Sequence, residues 1–234
     1  MAKNFVSNST ESTRMFKSSF LESLSKVHFT VPLFIFVPAI AIFIYRAFGV
    51  YHVSFLYFLG YFLLGLFVWT LTEYVLHRYI FHFHPSSKWG QRIHFIFHGV
   101  HHDYPRDKKR LVMPPSVSIP LALLFYFLFY LLLPGGGALS SFFAAFLAGY
   151  LVYDMMHYAM HHYNFKSSLM KRIKQHHMLH HYQDEHKGFG VSSSLWDKIF
   201  VSGFPKKKDR SLKDNTGLVT SPRESKSDTS KVAL

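Results

Sequence analysis

Apolar positions in this chain gather into four long blocks separated by polar stretches. Residues 51–72 are 22 in a row without a formal charge, and residues 111–133 are 23. Each exceeds the roughly 18 to 20 residues a helix needs to cross a hydrocarbon core of about 30 Å. The first block, residues 29–45, is shorter, but its bracketing charges, Lys26 and Arg46, stand 20 residues apart, about 30 Å of helix at 1.5 Å per residue. Pro32 and Pro38 predict a kink there, which a membrane helix tolerates where neighbours satisfy the freed carbonyls. A short connection around Gly49 leads to the second block, which runs on to Leu76 with Glu73 near its end. Pro134, Gly135, Gly136 and Gly137 predict a tight turn into the fourth block, residues 138–153. The pattern predicts an all-α integral membrane protein with four transmembrane helices in two hairpins, and argues against a soluble single-core domain.

The flanking regions complete the organisation. Residues 1–27 are polar and Ser/Thr-rich, with no apolar run beside a small-residue cleavage site, and are expected to lie loosely at the membrane surface. Residues 28–202 form the membrane-embedded body, and residues 203–234, with Lys206, Lys207 and Lys208 and many Ser, read as a basic disordered tail. Of the 26 Lys and Arg, 4 precede the first block, 7 lie within residues 78–110 and 14 follow residue 153. Only Arg46 falls near the other side, so the positive-inside rule predicts that both termini are cytoplasmic. The net charge of +13 then reflects a basic face toward anionic headgroups, and no stacking or basic motif of a nucleic-acid module accompanies it. The chain has no Cys, which removes disulfides, thiolate metal sites and cysteine nucleophiles.

The 17 His are far more than packing requires. His28 and His52 stand alone near membrane boundaries. The others form four groups: His77, His82 and His84; His94, His98, His101 and His102; His157, His161 and His162; His176, His177, His180, His181 and His186. Each group starts where a membrane segment ends or in the polar stretch after it, so all four can meet at one face. His98, His101 and His102, like His177, His180 and His181, are spaced i, i+3, i+4, so three imidazoles from one turn are expected to reach a common centre. His157 and His161 are an i, i+4 pair that extends the fourth helix past its last apolar residue. His77 and His82 are i, i+5, about 140° apart on a regular helix, so the helix must distort or end between them for both to act together. Taken singly, each group has an ordinary reading as interfacial or hydrogen-bonding His. Together, on one face and without thiols, they predict a metal site with nitrogen ligands, and ten imidazoles are enough for two ions. Zinc would support hydrolysis. Two irons could instead reduce dioxygen and oxidise an inert C–H bond, which suits a lipid chain as substrate. All-His ligation also separates the site from the carboxylate-rich di-iron bundles.

Several stretches resemble the fatty acid 2-hydroxylase family, within the fatty acid hydroxylase and sterol desaturase superfamily: residues 73–82 (EYVLHRYIFH), 94–102 (HFIFHGVHH) and 110–115 (RLVMPP), then 149–154 (GYLVYD), His157, His161, the His177, His180, His181 box, 188–192 (GFGVS) and Trp196-Asp197. The resemblance implies a cytoplasmic helical cap holding a dimetal site over the four membrane helices, and hydroxylation of a long acyl chain at carbon 2, carried as free acid, thioester or ceramide N-acyl group. The ligands it implies are His77, His82, His98, His101, His102, His157, His161, His177, His180 and His181. It places Tyr153 and Asp154 near the site, and Asp154 could fix a ligand tautomer. His94 is expected to support the site or line the pocket. The implied cofactors are two iron ions, with zinc able to replace them in purified protein, and dioxygen is the cosubstrate. Residues 1–27 are too few for the fused heme domain of many eukaryotic members, so electrons are expected from a separate b-type cytochrome or ferredoxin with its reductase. The expected location is the plasma membrane in a bacterium or the endoplasmic reticulum in a eukaryote. The alternatives are a sterol or carotenoid hydroxylase or desaturase of the same superfamily, a His-lined metal transporter, and a zinc-stabilised scaffold.

Overall fold

A computed structural model describes residues 6–205 of the chain. All regular elements among these residues are helical: α1 Ser19–Leu24, α2 Val31–Tyr45, α3 Phe55–Val75, α4 Lys88–His94, α5 Val100–Asp103, α6 Pro115–Leu132, α7 Gly135–His162, α8 Ser168–Tyr182 and α9 Leu195–Ile199. Three π-helical turns continue α2, α3 and α4, over Arg46–Val50, Leu76–Phe81 and Phe95–Gly99. Four spans are long and apolar enough to cross a membrane: Val31–Val50, Phe55–Phe81, Pro115–Leu132 and Gly135–His162. They match the four blocks and their pairing into two hairpins. All but the first three residues of the expected tail lie outside the described residues.

Helix α7 is the centre of the bundle. Its most apolar window is 72% buried within the protein, against 11% for each of the other three spans, whose side chains are left to face lipid. Its buried face alternates bulk and gaps: Phe142, Phe143 and Phe146 fill space while Ala138, Ser141, Ala144 and Ala145 let neighbours approach. Small residues at helix contacts favour such close packing in a bilayer, where there is no hydrophobic drive between helices. The Phe cluster is locked by edge-to-face rings, as between Trp69 of α3 and Phe146 at 5.2 Å and between Phe129 of α6 and Phe142 at 4.6 Å.

The helical framework departs from the sequence expectations in three places. The third membrane helix begins at Pro115, because Pro114 and Pro115 suit a helix start and not an interior. Leu111 and Val112 are instead buried in the segment leading into it. The glycine run is only briefly a turn: Gly135 takes φ +83° and α7 starts there, with Gly136 and Gly137 pressed against Tyr51 and Val53, where a Cβ would collide. Residues 6–27 do not lie loosely. Ser7 N–H donates to the Asp103 carbonyl at 2.8 Å, Val27 N–H to the Lys109 carbonyl at 2.9 Å, and Met15 and Glu22 are buried.

Candidate metal centre

Ten of the His converge in two groups of five: His77, His82, His98, His102 and His180, and His101, His157, His161, His177 and His181. Within each group one ligand atom per residue lies within 4.8 Å of all the others. These are the ten residues expected from the sequence. Each His box is divided, however: His98 and His102 join one group while His101 joins the other, and His177 and His181 part from His180. At 100° per residue, i+4 lies 40° to one side of i and i+3 lies 60° to the other, so the two are about 100° apart around the helix. The expectation of a common centre for each box therefore fails, and one turn of helix serves two neighbouring centres. The groups touch through adjacent residues, with the His102 and His181 rings stacked at 4.2 Å.

The predicted distortion between His77 and His82 is the π turn Leu76–Phe81. Its wider hydrogen-bonded ring runs from His82 N–H to the His77 carbonyl at 3.1 Å, an i to i+5 bond that brings the two residues onto one face. A second π turn, Phe95–Gly99, carries His98.

The donor geometry suits metal ions. The His98 Nε2 has the Nε2 atoms of His77 and His82 at 3.1 Å and that of His102 at 3.0 Å. In the other group, His177 Nε2 has those of His161 at 2.9 Å and His181 at 3.1 Å, and His101 lies 3.1 Å from His181. One imidazole nitrogen is either a single donor or a single acceptor, so the three contacts on His98 cannot all be hydrogen bonds. Nitrogens at right angles around an ion with bonds of about 2.1 Å would be about 3.0 Å apart. His157 Nε2 and His180 Nε2 are buried with no protein partner, an expensive arrangement unless something else binds them. Burial, reinforced by repulsion among neighbouring imidazoles, holds His82, His98, His101, His102, His177, His180 and His181 below the ordinary imidazole range, keeping them neutral and their lone pairs free.

Backbone carbonyls fix several rings from behind. His77 Nδ1 donates to the Phe189 carbonyl at 2.5 Å and His180 Nδ1 to the Lys187 carbonyl at 2.8 Å, which selects the tautomer that leaves Nε2 free. The segment supplying these carbonyls turns at Gly188, whose φ of +74° few side chains would allow. Two buried carboxylates clamp it. Glu73 accepts from Val191 and Ser192 N–H, both at 2.7 Å, and from the Ser192 hydroxyl. Asp197 accepts from Phe189 N–H at 2.9 Å, Gly190 N–H at 2.8 Å and His176 Nε2 at 3.0 Å. Burial opposes the Asp197 charge, yet these donors, His176 foremost, hold its carboxyl below the usual range.

The remaining sequence candidates lie around the two groups. Tyr153 and Asp154 line an apolar cavity of about 240 Å³ that also touches His98, His101 and His157. Asp154 orients no imidazole: it accepts from Met113 N–H and the Tyr150 hydroxyl, both at 3.2 Å, and so fixes the RLVMPP stretch against α7. His94 lines a second, polar cavity of about 330 Å³ that reaches His82, His98, His102 and His181 from the side bearing Asp103 and Glu185. His84 and His186 form a small exposed group with Glu185, and His28 bonds Thr30. The clamps Glu73 and Asp197 and the partner role of His176 were missed from sequence. Glu73 had one usable signal, a lone carboxylate near the end of an otherwise uncharged apolar block.

Known proteins resemble this chain in sequence and in fold. The family model described as fatty acid hydroxylase matches residues 62–202. The ceramide very long chain fatty acid hydroxylase scs7 of Schizosaccharomyces pombe is 37% identical over 191 residues, 80% of this chain and 54% of that protein. The fatty acid 2-hydroxylase of Homo sapiens is 37% identical over 221 residues, 85% of this chain and 58% of its own length. The chain thus spans little more than half of each. A solved structure described as full length scs7p, with only the hydroxylase domain visible, superposes with a TM-score of 0.75 at 38% identity, covering 80% of this chain and 70% of that one. The matched stretch, 62–202, contains all ten converging His together with both clamping carboxylates, and on that ground the chain belongs to the fatty acid hydroxylase family.

Proposed function

We propose that this protein hydroxylates carbon 2 of a long acyl chain, using dioxygen and electrons from a separate b-type cytochrome or ferredoxin. The carrying observation is the pair of five-His groups at the ends of the membrane spans, with an apolar cavity opening beside both. The relatives are named for hydroxylation of fatty acids and ceramides, which supports an acyl substrate. Two iron ions, when bound by the ten His, would supply the reduction of dioxygen and the oxidation of the C–H bond.

The chain's own residues do the rest. The apolar cavity accepts hydrocarbon and excludes water, and each buried methylene favours that position by about 0.8 kcal/mol. The polar cavity connects both His groups, one through His82, His98 and His102 and the other through His181, to the aqueous side, where protons are available and a reductant can approach. Because the His groups lie at the ends of the spans, an acyl chain anchored by its carbonyl at the headgroup layer presents its first methylenes to them. That depth is the reason for carbon 2 over positions further along.

The test supplies acyl chains carrying two deuteriums at carbon 2 under labelled dioxygen. Loss of one deuterium and gain of one labelled oxygen are expected. Retention of both deuteriums, or oxygen drawn from water, would falsify the reading.

A further inference from the structure

Five residues of the polar N-terminal segment, Met15, Phe16, Leu21, Leu24 and Ser25, line the apolar cavity that touches His98, His101 and His157. The segment precedes the stretch matched by the family model. Nothing in its sequence pattern marks it as part of a site. It is nevertheless held in place by a polar network whose centre is Arg110, the first residue of the RLVMPP stretch. Arg110 is buried and donates to Glu22 Oε1 at 2.7 Å, to Ser25 Oγ at 3.1 Å and to the Thr13 carbonyl, and it lies 3.3 Å from Asp107 Oδ2. Glu22 in turn accepts the backbone N–H groups of Met15 at 2.9 Å and Phe16 at 3.0 Å. Arg92 donates to the Met15 carbonyl, and Ser12 donates to Asp107 Oδ1 at 2.6 Å. These bonds turn the polar atoms of the segment toward its own backbone and its anchor, so that apart from Ser25 the residues it presents to the cavity, Met15, Phe16, Leu21 and Leu24, are apolar.

Resting on the acyl-hydroxylase reading, we propose that residues 13–25 are the outer wall of the acyl site and decide which acyl chains it admits, with Arg110 as the latch that positions the wall. Leu21 and Leu24, one helical turn apart on α1, are 47% and 42% exposed and stand where the cavity opens, while Met15, 5% exposed, stands deeper. The opposite wall is Met113 and Val117 with Phe97. A chain entering between these walls meets side chains from a segment that supplies none of the ten His, so the wall can be changed without removing a member of either His group. Arg110 is a positioning residue in this scheme.

Two experiments on the full chain in lipid nanodiscs test the wall separately from the chemistry. A long-chain fatty acid bearing a photoreactive diazirine is bound, irradiated and located by mass spectrometry of the digested protein. Adducts on residues 15–25 and on residues 111–117, displaced by excess unmodified fatty acid, are expected. Adducts confined to the lipid-facing helices and insensitive to competitor overturn the proposal. The second experiment compares 2-hydroxyacyl products of graded chain length. A bulky Leu24→Trp or a truncating Met15→Ala is expected to change the ratio of shorter to longer products about tenfold, the discrimination one methylene brings in a hydrophobic pocket, with bound metal unchanged. Phe20→Trp, at a site 70% exposed and off the cavity, leaves the ratio alone. Arg110→Gln is expected to drift the ratio and speed hydrogen exchange of residues 15–24, with metal retained. An unchanged ratio in all these variants sinks the wall. Displaceable adducts on residues 15–25 in a protein that forms no 2-hydroxy product would instead overturn the reaction and leave the wall standing.

Discussion

His98 sits where three other imidazole nitrogens crowd within about 3.1 Å, a density that only a shared cation makes favourable. Removing one nitrogen from such a set costs more than one bond, since the others were oriented to share it, and loss of a ligand's support commonly costs 10 to 100-fold in affinity or activity. His101→Ala and His180→Ala, one from each group, are therefore expected to lower bound metal from two ions per chain toward one and to abolish turnover. His52→Ala, at a turn remote from both groups, leaves both intact. Elemental analysis of purified variants decides this, and a single tight ion indifferent to these changes would contradict two centres. Spacing made these ten residues legible, because a His pattern reports local geometry. The division of each box between two centres was not legible, since it depends on which neighbouring helix lies on each side. Glu73 likewise reads as the charge that interrupts an apolar block. Its role appears only when the chain returns 119 residues later to place Ser192 N–H against it.

At the scale of elements, two features shape the site: how tightly α3 packs on α7, which sets where the His meet, and whether α1 stays docked over the apolar cavity. A Cβ on Gly65 of α3 would sit 2.2 Å from the backbone oxygen of Phe142 in α7, and backbone does not step aside. Gly65→Ala should force the helices apart at a cost of about 1 to 3 kcal/mol, lowering the unfolding temperature in detergent, whereas Gly60→Ala meets nothing within 4 Å and should be neutral or stabilising. Equal behaviour of the two would refute the close contact. For α1, burial pushes the Glu22 carboxyl up, but Lys26, the Phe16 and Met15 N–H groups and Arg110 together draw it down to about 2. A group whose folded value lies below its unfolded one stabilises fully above the unfolded value and loses that contribution as pH falls toward the folded one. The protection of residues 15–24 against hydrogen exchange, taken relative to the intrinsic rate at each pH, should therefore be flat above about pH 4.5 and fall from there toward about pH 2, and Glu22→Gln should remove that dependence. The membrane helices were legible as uncharged blocks. The docking of α1 was not, because its anchors, Arg110 and Asp107, come from a segment some 90 residues away.

Across the whole molecule, four spans and two short far-side connections leave a single arrangement in which all ten His share one face. Residues 51–54 and 133–134 must then lie on the opposite side from residues 82–114 and from residues 163–204. The charges agree: among the described residues 16 of the 17 Lys and Arg fall on the His side and Arg46 alone falls near the other, the bias expected of a cytoplasmic face. The absence of Cys makes the arrangement directly measurable, because any thiol introduced is the only one present. Lys88→Cys and Asn164→Cys, both exposed on the His side, should resist a membrane-impermeant maleimide in sealed cells or right-side-out vesicles and react once the membrane is opened. His52→Cys should react in the sealed preparation. For a protein located in an internal membrane, the same comparison runs on sealed microsomes with the two outcomes exchanged, since their outer face is cytoplasmic. Labelling of Lys88→Cys and Asn164→Cys on opposite sides would place an odd number of crossings between them, and the two His groups, drawn from both regions, could not then assemble.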